Sequence, residues 1–599
     1  MAALQRSALF EALQQHSRES TAIVHSLSGR SFTYGSLLQD VANAKEKLLE
    51  QTGKDEKSIV GERVAFLIEN SYDYVVTLLS ILASNAIAVP LAPSFPASEL
   101  RYIINHSEAL ALLSTAKYKA LAADVLREGL DKSPLSIDVE KTMQGSQSTN
   151  SIELTGDSYT AEGGMMLYTS GTTARPKGVL LHQLVLIAQA KSLLQAWDYS
   201  PKDRLLHILP LHHIHGTVNA LIAPLLAGSS IEFMFPFNVD NVWSRLAAPF
   251  LRDGDKTENQ KQPVTFFTAV PTVWARMLQS HPKLSPDMKT AVNEAVQRKH
   301  LRLNISGSAA LPTPTKQGWT DLSNGNVLLE RFGMTEVGMA LSCGVDDNDR
   351  IDGSVGWPLP SVEARLVDPD TEDIIPTSDS NDAADTSSAE RTGEIQLRGP
   401  TIFKGYWRNP EATKKEFTED GWFKTGDIAV RKHVPGAGTG KSGDWAKGPA
   451  FFIHGRKSAD IIKTGGEKVS ALEIERELLS LPQIEECAVV GLPSEAWGQK
   501  VAAVVVLTEA GRSSGKGGKA WSAMDMRRAL KEKLVAYKIP QDLKIVESIP
   551  RNAMGKVNKK ELVGLVFGDQ ENIRKRSVAV AEERKRQKAG GQQANGHAK

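Results

Sequence analysis

Residues 63–92 contain three apolar stretches in a row: RVAFLIEN (63–70), DYVVTLLSILASN (73–85) and AIAVPLA (86–92). The outer two have strand length and the middle one has helix length. Strand, helix, strand predicts a right-handed crossover between parallel strands, and therefore a sheet covered by helices. The alternation resumes at GGMMLYTS and continues through LRLNISGS (301–308), EARLVD (363–368) and GEIQLRG (393–399). The expected fold is α/β. A large N-terminal domain, residues 1–455, should hold parallel and mixed sheets flanked by helices. The composition changes after GRKSAD (455–460). Residues 456–565 then offer a helix (SALEIERELLSL), strands ECAVVGLP and VAAVVVL, a helix near 525–535 and a strand LKIVESIP. That is a small, mobile C-terminal α+β domain. Residues 566–599 form a charged, Gln- and Gly-rich tail expected to be disordered. The polar 144–158, the acidic 377–390 and the Gly-rich 433–448 read as linkers or flexible surface loops.

The chain has 599 residues, 41% hydrophobic and 24% charged, enough for several domain-sized cores. Lys+Arg number 71 and Asp+Glu 70, so no global field favours nucleic acid or an anionic membrane. Any anion site must be local. The two cysteines, Cys343 and Cys487, lack metal-ligand spacing and suit a reducing compartment. No apolar run reaches the ~18 residues of a membrane span. In the opening MAALQRSALFEALQQHSRES, Glu11 and Glu19 balance Arg6 and Arg18, whereas transit peptides are poor in acids. An opening helix of a folded, cytoplasmic protein is expected, with a mitochondrial address as the alternative. The basic runs of the tail read as a solvated surface.

The strongest chemical signal is YTSGTTARPKG (168–178). An apolar strand enters a loop of glycines and hydroxyls that ends in lysine. Glycine lets backbone N–H groups approach an anion, hydroxyls add donors, and Lys177 adds a point charge. Such a loop can cradle a polyphosphate. PGAGTGKS (435–442) superficially suggests a Walker loop, but its first position is Pro435 and no apolar strand leads tightly into it.

YTSGTTARPKG resembles the phosphate-binding motif of the adenylate-forming superfamily, which includes acyl-CoA synthetases, luciferases and peptide-synthetase adenylation domains. LPLHHIHG (209–216), RFGMTE (331–336), GYWRNPEAT (405–413), GWFKTGD (421–427), GRKSADIIKTGGEKVSALEIE (455–475) and PRNAMGKVNKKEL (550–562) follow in the family's order. The resemblance covers residues 8 to 565. It implies a two-step reaction: a carboxylate attacks the α-phosphate of ATP, then a thiol displaces AMP. ATP, Mg²⁺ and coenzyme A are the implied small molecules. Thr169, Ser170, Gly171, Thr172, Thr173 and Lys177 correspond to the phosphate cradle. Thr335 and Glu336 correspond to the phosphate- and Mg²⁺-binding pair. Ser308, Phe332 and Gly333 are assigned to the nucleotide; Phe332 stands where a tyrosine is commoner, which keeps stacking and loses a hydroxyl. Asp427 and Arg456 correspond to the ribose ligands. Lys556 corresponds to the lysine that reaches the substrate carboxylate and α-phosphate. Gly465 and Gly466 lie on the face expected to serve thioester formation, and the hinge is expected within Lys457 to Asp460.

LPLHHIHG puts His212, His213 and His215 together. A metal site, a base cluster and a pocket wall are all open readings of the eight residues alone. If the stretch is extended, His213 and His215 share a face opposite His212. Zinc would want three converging ligands, and no nearby acid or cysteine supports it. Arg302, in LRLNISGSAALP, is a candidate to receive a carboxylate bidentately. With RFGMTEVGMALS and GRKSADIIKTGGEKVSALEIE, these stretches are similar to the malonyl-CoA synthetase branch. That similarity implies Arg302 and His215 as holders of a distal carboxylate, and His213 as a gate near the reacting one. The expected reaction is malonate, ATP and CoA to malonyl-CoA, AMP and pyrophosphate. Methylmalonate, a short- or medium-chain monocarboxylate, or loading of a separate carrier protein are the alternatives.

Overall fold

The computed structural model describes residues 3–127, 129–146, 152–156, 163–169, 175–251, 256–376, 391–494, 497–515, 517–551 and 557–568. The linker centre, the acidic 377–390 stretch and the tail beyond 568 lie outside these residues. The chain divides into two compact units, one through Ile453 and one from His454 onward.

The first unit carries a six-stranded and a nine-stranded sheet. In the six-stranded sheet, Arg63–Leu67 pairs in parallel with Ile87–Pro90 and Ala111–Thr115. The helix of the crossover is Tyr72–Ala83, and every residue in it is buried. Its largely apolar run is thus explained by burial on all sides rather than by one stripe. Gly164–Thr169 and the antiparallel Lys177–His182 complete one edge.

The nine-stranded sheet runs parallel from Leu329–Met334 through Leu303–Ser306, Phe266–Ala269, Arg204–His207 and Ser230–Phe233 to Thr21–His25. Its strands are covered on both faces. Leu205 and Phe266 join a core shared with the six-stranded sheet, while their neighbours Leu206 and Phe267 join a second core under helices Val239–Ala247 and Pro271–Ser280. Alternate residues go to alternate faces, so continuous apolar strands are what two-sided burial requires. A five-stranded sheet follows, running from Ile374–Ile375 to Ala450–Arg456.

Helix Ala8–Gln15 is part of this domain and buries Leu9, Phe10 and Leu13. Among the described residues no helix is long and apolar enough to cross a membrane. The Gly-rich stretch 433–448 differs from the flexible loop expected. Asp349 receives Gly438 N at 2.9 Å on one carboxylate oxygen and Ser442 Oγ at 2.6 Å on the other, and Trp357 Nε1 donates to Gly448 O. A buried acceptor pair holds what composition alone leaves loose.

The second unit has strands Ile461–Thr464, Glu467–Ser470, Ile484–Ser494, Gly498–Leu507 and Asp542–Ile545 in one sheet. Helices Ala471–Leu479 and Ala523–Leu530 pack with one face, and Lys559–Val566 with the other.

In strand Ser230–Phe233, Glu232 lies between Arg204 (3.2 Å) and Arg245 (2.6 Å), all nearly fully buried. Burial alone would raise the carboxyl, but the two guanidinium groups outweigh it and hold its pKa below the ordinary value. Glu232→Gln leaves two cations without their charge partner and should lower stability by about 3–5 kcal/mol in urea unfolding. In the parent, this contribution is complete above the ordinary carboxylate range near pH ~4.3 and is lost as pH falls through the depressed value.

Candidate active site

In an open α/β sheet, ligands bind beyond the carboxyl ends of the strands. The polar groups of this chain gather there. His207 ends its strand, Thr268 is next to last in its own, and Ser306–Gly307–Ser308 leads out of the next. LPLHHIHG closes over these ends. It is not extended: the chain turns after Pro210 and enters a fully buried π-helix, His215–Ile222. Gly216 permits the approach, since a Cβ there would lie 2.2 Å from the Pro210 carbonyl oxygen. Tyr74 OH donates to Leu211 O and Asn70 Nδ2 to Leu209 O, tying the stretch to the other sheet. π-helical turns concentrate at functional sites because they re-aim side chains.

His215 consequently parts from the other two histidines. The His212 ring meets Phe95 edge-on and lies tilted against His213, with centroids 4.3 Å apart. His215 Nε2 lies 2.7 Å from Thr268 Oγ1, and its Nδ1 lies 3.5 Å from Ser308 Oγ. Burial, and then Arg331, hold His215 far below the ordinary histidine range, so it is neutral at pH 7.

Arg331 is the cation of this site. Glu330 and Arg331 are neighbours in strand Leu329–Met334 and point to opposite faces. Glu330 pairs with buried Lys316 at 2.8 Å. Arg331 is 5% exposed and has no acidic partner among the described residues. Among the described residues its one polar contact is Nη2 to Ser308 Oγ at 3.4 Å, and its Nε has none. Burial lowers its pKa to about 9, which still leaves it charged at pH 7. The guanidinium lies over Gly307, where a Cβ would meet its Cζ at 2.4 Å. Ser308 takes the left-handed φ of 69° to face the same space.

Arg302 does not belong to this cluster. It precedes strand Leu303–Ser306, at the amino end of the sheet, and Asp203 precedes the parallel strand Arg204–His207 at the same end. Its Nε and Nη2 donate to the two carboxylate oxygens of Asp203 at 2.7 and 2.5 Å, and other N–H groups reach the Trp197 and Asp198 carbonyls. The four residues of strand Leu303–Ser306 lie between Arg302 and Gly307–Ser308 and span roughly 13 Å. The expected carboxylate-holding role of Arg302 is thereby corrected: its fork is already filled by a buried carboxylate.

A second group lies near the glycine-hydroxyl loop. Thr169 and Lys177 face each other in the antiparallel ladder and bracket it. Ser170, Gly171, Thr172 and Thr173 lie outside the described residues, as does Lys556. Lys177 Nζ sits 4.4 Å from the Tyr406 ring centroid, and Tyr406 OH donates to Glu336 Oε1 at 2.9 Å. Tyr406 therefore bridges the loop lysine and the buried carboxylate. Thr335 and Glu336 form the turn between strands Leu329–Met334 and Gly338–Ser342. Gly333 is obligatory in that hairpin, as its Cβ would lie 2.0 Å from Gly338 O. Phe332 is partly buried against the core.

Asp427 is buried in strand Phe423–Lys432. There Glu394 opposes Ile428 but Gln396 opposes Lys424, so residues 425–427 bulge out of the ladder. Bulges redirect side chains in this way. In the second unit, Arg456 ends its strand, and Gly465 and Gly466 make a tight turn with φ of 57° and 87°. The exposed ring of Trp497 fills the space beside Gly465, 2.8 Å from where a Cβ would stand. Arg331 and Tyr406 were missed as candidate site residues. Both sit inside motifs already singled out, RFGMTE and GYWRNPEAT. Only contacts across the fold give them roles.

The AMP-binding enzyme profile matches residues 9–407, and the AMP-binding enzyme C-terminal domain profile matches residues 473–556. The chain belongs to the AMP-binding enzyme family. It is an adenylate-forming CoA ligase, an AMP-forming acid–thiol ligase. It is 63% identical over 596 residues to a CoA ligase of Gibberella moniliformis, covering 97% of this chain and 98% of that one. It is 39% identical over 515 residues to the mitochondrial malonate–CoA ligase of Mus musculus, covering 84% and 82%. The ATP-bound crystal structure of MatB from Rhodopseudomonas palustris superposes with a TM-score of 0.73 at 29% identity, covering 94% of this chain and 99% of that one.

Tyr406→Phe removes a hydrogen bond to a buried carboxylate, an interaction of about 1.5 kcal/mol or more. We expect kcat/KM for ATP, measured by AMP release, to fall about tenfold, and the unfolding midpoint to fall with the lost hydrogen bond.

Proposed function

We propose that the chain joins malonate to coenzyme A, converting malonate, ATP and CoA to malonyl-CoA, AMP and pyrophosphate. The buried Arg331, with no acidic partner among the described residues, carries this reading. A desolvated cation without a counter-ion is costly. A substrate whose second carboxylate meets Arg331 relieves that cost, with neutral His215 adding a polar contact. Ser308, first expected at the nucleotide, is placed here by its contacts with His215 and Arg331. Arg331 takes the role first expected of Arg302. His213 is the gate on the side of the reacting carboxylate.

Two anions must meet in the first step, so neutralisation and positioning dominate. Residues 169–173 and Lys177 cradle the β- and γ-phosphates. Phe332 and Gly333 border the adenine, and Asp427 and Arg456 hold the ribose hydroxyls. The hydroxyl of Thr335 and the carboxylate of Glu336, steadied by Tyr406, offer the hard oxygen donors that suit Mg²⁺, and these two would hold it. The bound ion would neutralise phosphate charge. Lys556 neutralises charge as the carboxylate attacks. The second unit then turns about the hinge, and CoA approaches along Gly465 and Gly466. The burial of helix Ala8–Gln15 in the first core supports a folded role for the opening residues, and we place the protein in the cytoplasm. Fractionation tests this against mitochondrial import.

AMP release should be compared with malonate, methylmalonate, acetate and octanoate. Malonate should be preferred. Arg331→Leu should cost about 2–5 kcal/mol in kcat/KM for malonate while sparing acetate. Arg302→Ala should leave the malonate-to-acetate ratio unchanged and lower only stability. A preference for octanoate, or an intact ratio in Arg331→Leu, rules out the dicarboxylate pocket.

A further inference from the structure

The second unit contains one cluster of charges that the proposed chemistry does not use. Lys559 Nζ lies 2.5 Å from Asp460 Oδ1 and 2.7 Å from Glu475 Oε1. The three side chains are only 13, 14 and 15% exposed. They come from three separate parts of the sequence. Asp460 closes the hinge segment: its Oδ2 accepts from Arg456 N at 2.9 Å, and its own N–H donates to Arg456 O at 2.8 Å. Its side chain also occupies the space beside Gly455, where a Cβ would be 2.4 Å away. Glu475 lies on helix Ala471–Leu479, and its Oε1 also accepts from Val489 N at 2.7 Å. Lys559 is the first residue of helix Lys559–Val566.

A cation at the first position of a helix is disfavoured by the helix dipole. Its place there is explained by the two carboxylates, which outweigh burial and raise its pKa. The helix is also fixed from below, since Leu562 is buried against the strands at Ala488, Val490 and Val504. Lys559 is thus a rigid point, three residues along the chain from Lys556.

We propose that Lys559 is a positioning residue for adenylation: it locks the chain leaving Lys556 to the hinge turn and to helix Ala471–Leu479, so that hinge and lysine move as one body. This rests on the adenylation role assigned to Lys556. The thioester step uses the Gly465–Gly466 face and does not depend on the clamp. A misplacement of ~1 Å can cost about 10²-fold in rate, so a loosened clamp should show in one half-reaction and not the other.

The full chain is tested as Lys559→Met, Lys559→Arg, Lys556→Met and Lys560→Met, using the acid that the parent turns over fastest. Acid-dependent ATP–pyrophosphate exchange reads the first step. AMP release from supplied acyl-adenylate and CoA reads the second. We expect Lys559→Met to lower exchange kcat about tenfold or more with KM for ATP nearly unchanged, and to leave the second step within about twofold. Lys559→Arg should restore most of the exchange, and exposed Lys560→Met should match the parent. Equal loss in both steps, or normal exchange in Lys559→Met while Lys556→Met abolishes it, overturns the proposal. Normal exchange in Lys556→Met overturns the role of Lys556 itself, and the clamp's purpose with it. If Lys559→Met does not fold, Glu475→Gln, which keeps a hydrogen-bond acceptor, is read in the same two assays with the same criteria.

Discussion

A parallel strand buried on both faces can carry a polar side chain along its length only where a partner meets it, and is free to display one only at its ends. The nine-stranded sheet imposes this constraint on the whole first unit. Between Phe266 and Phe267, or Leu205 and Leu206, alternate side chains enter different cores and neither can be polar without a partner. Chemistry is pushed to the carboxyl ends, where Thr268, Ser308 and Arg331 converge under the π-helix of His215. Asp203 and Arg302 pair at the amino ends, and Glu232, inside its strand, is neutralised by Arg204 and Arg245.

Pairing separates the two kinds of charge. Lys316 has Glu330, Arg302 has Asp203, and Arg204 and Arg245 share Glu232. Each pair offsets its own desolvation and leaves nothing for a ligand. Arg331 has a serine hydroxyl at the edge of hydrogen-bond reach and no acid among the described residues. Two guanidinium groups of the same sheet thus face opposite tasks. The difference is one of position along the strand.

The motifs made the local elements around the candidate site legible. Strand-and-loop composition around Thr169 and Lys177, the RFGMTE turn and the two-unit division were readable because short-range chemistry dictates them. Arg302 was misread because a strand pattern gives no sense of which end is the active one. Arg331 stood inside a quoted motif, but nothing local shows that Glu330 beside it is already taken by Lys316. Tyr406 was likewise in view, yet its bridge spans 70 residues to Glu336. LPLHHIHG was weighed as an extended segment. The contact of Gly216 with Pro210 favours a helical turn instead, and that contact depends on where the strand ends above it.

The sequence by itself determined the class of fold through its apolar periodicity, and the resemblance carried by its ordered motifs implied the family and the kind of reaction, because both are local properties of the chain. Only the tertiary structure decided which cation faces the substrate and which holds the scaffold. That depends on the partners of each charge, and these come from residues as much as 99 positions away, as Asp203 does for Arg302. A buried charge takes its function from what does or does not neutralise it, and neutralisation is a property of the fold.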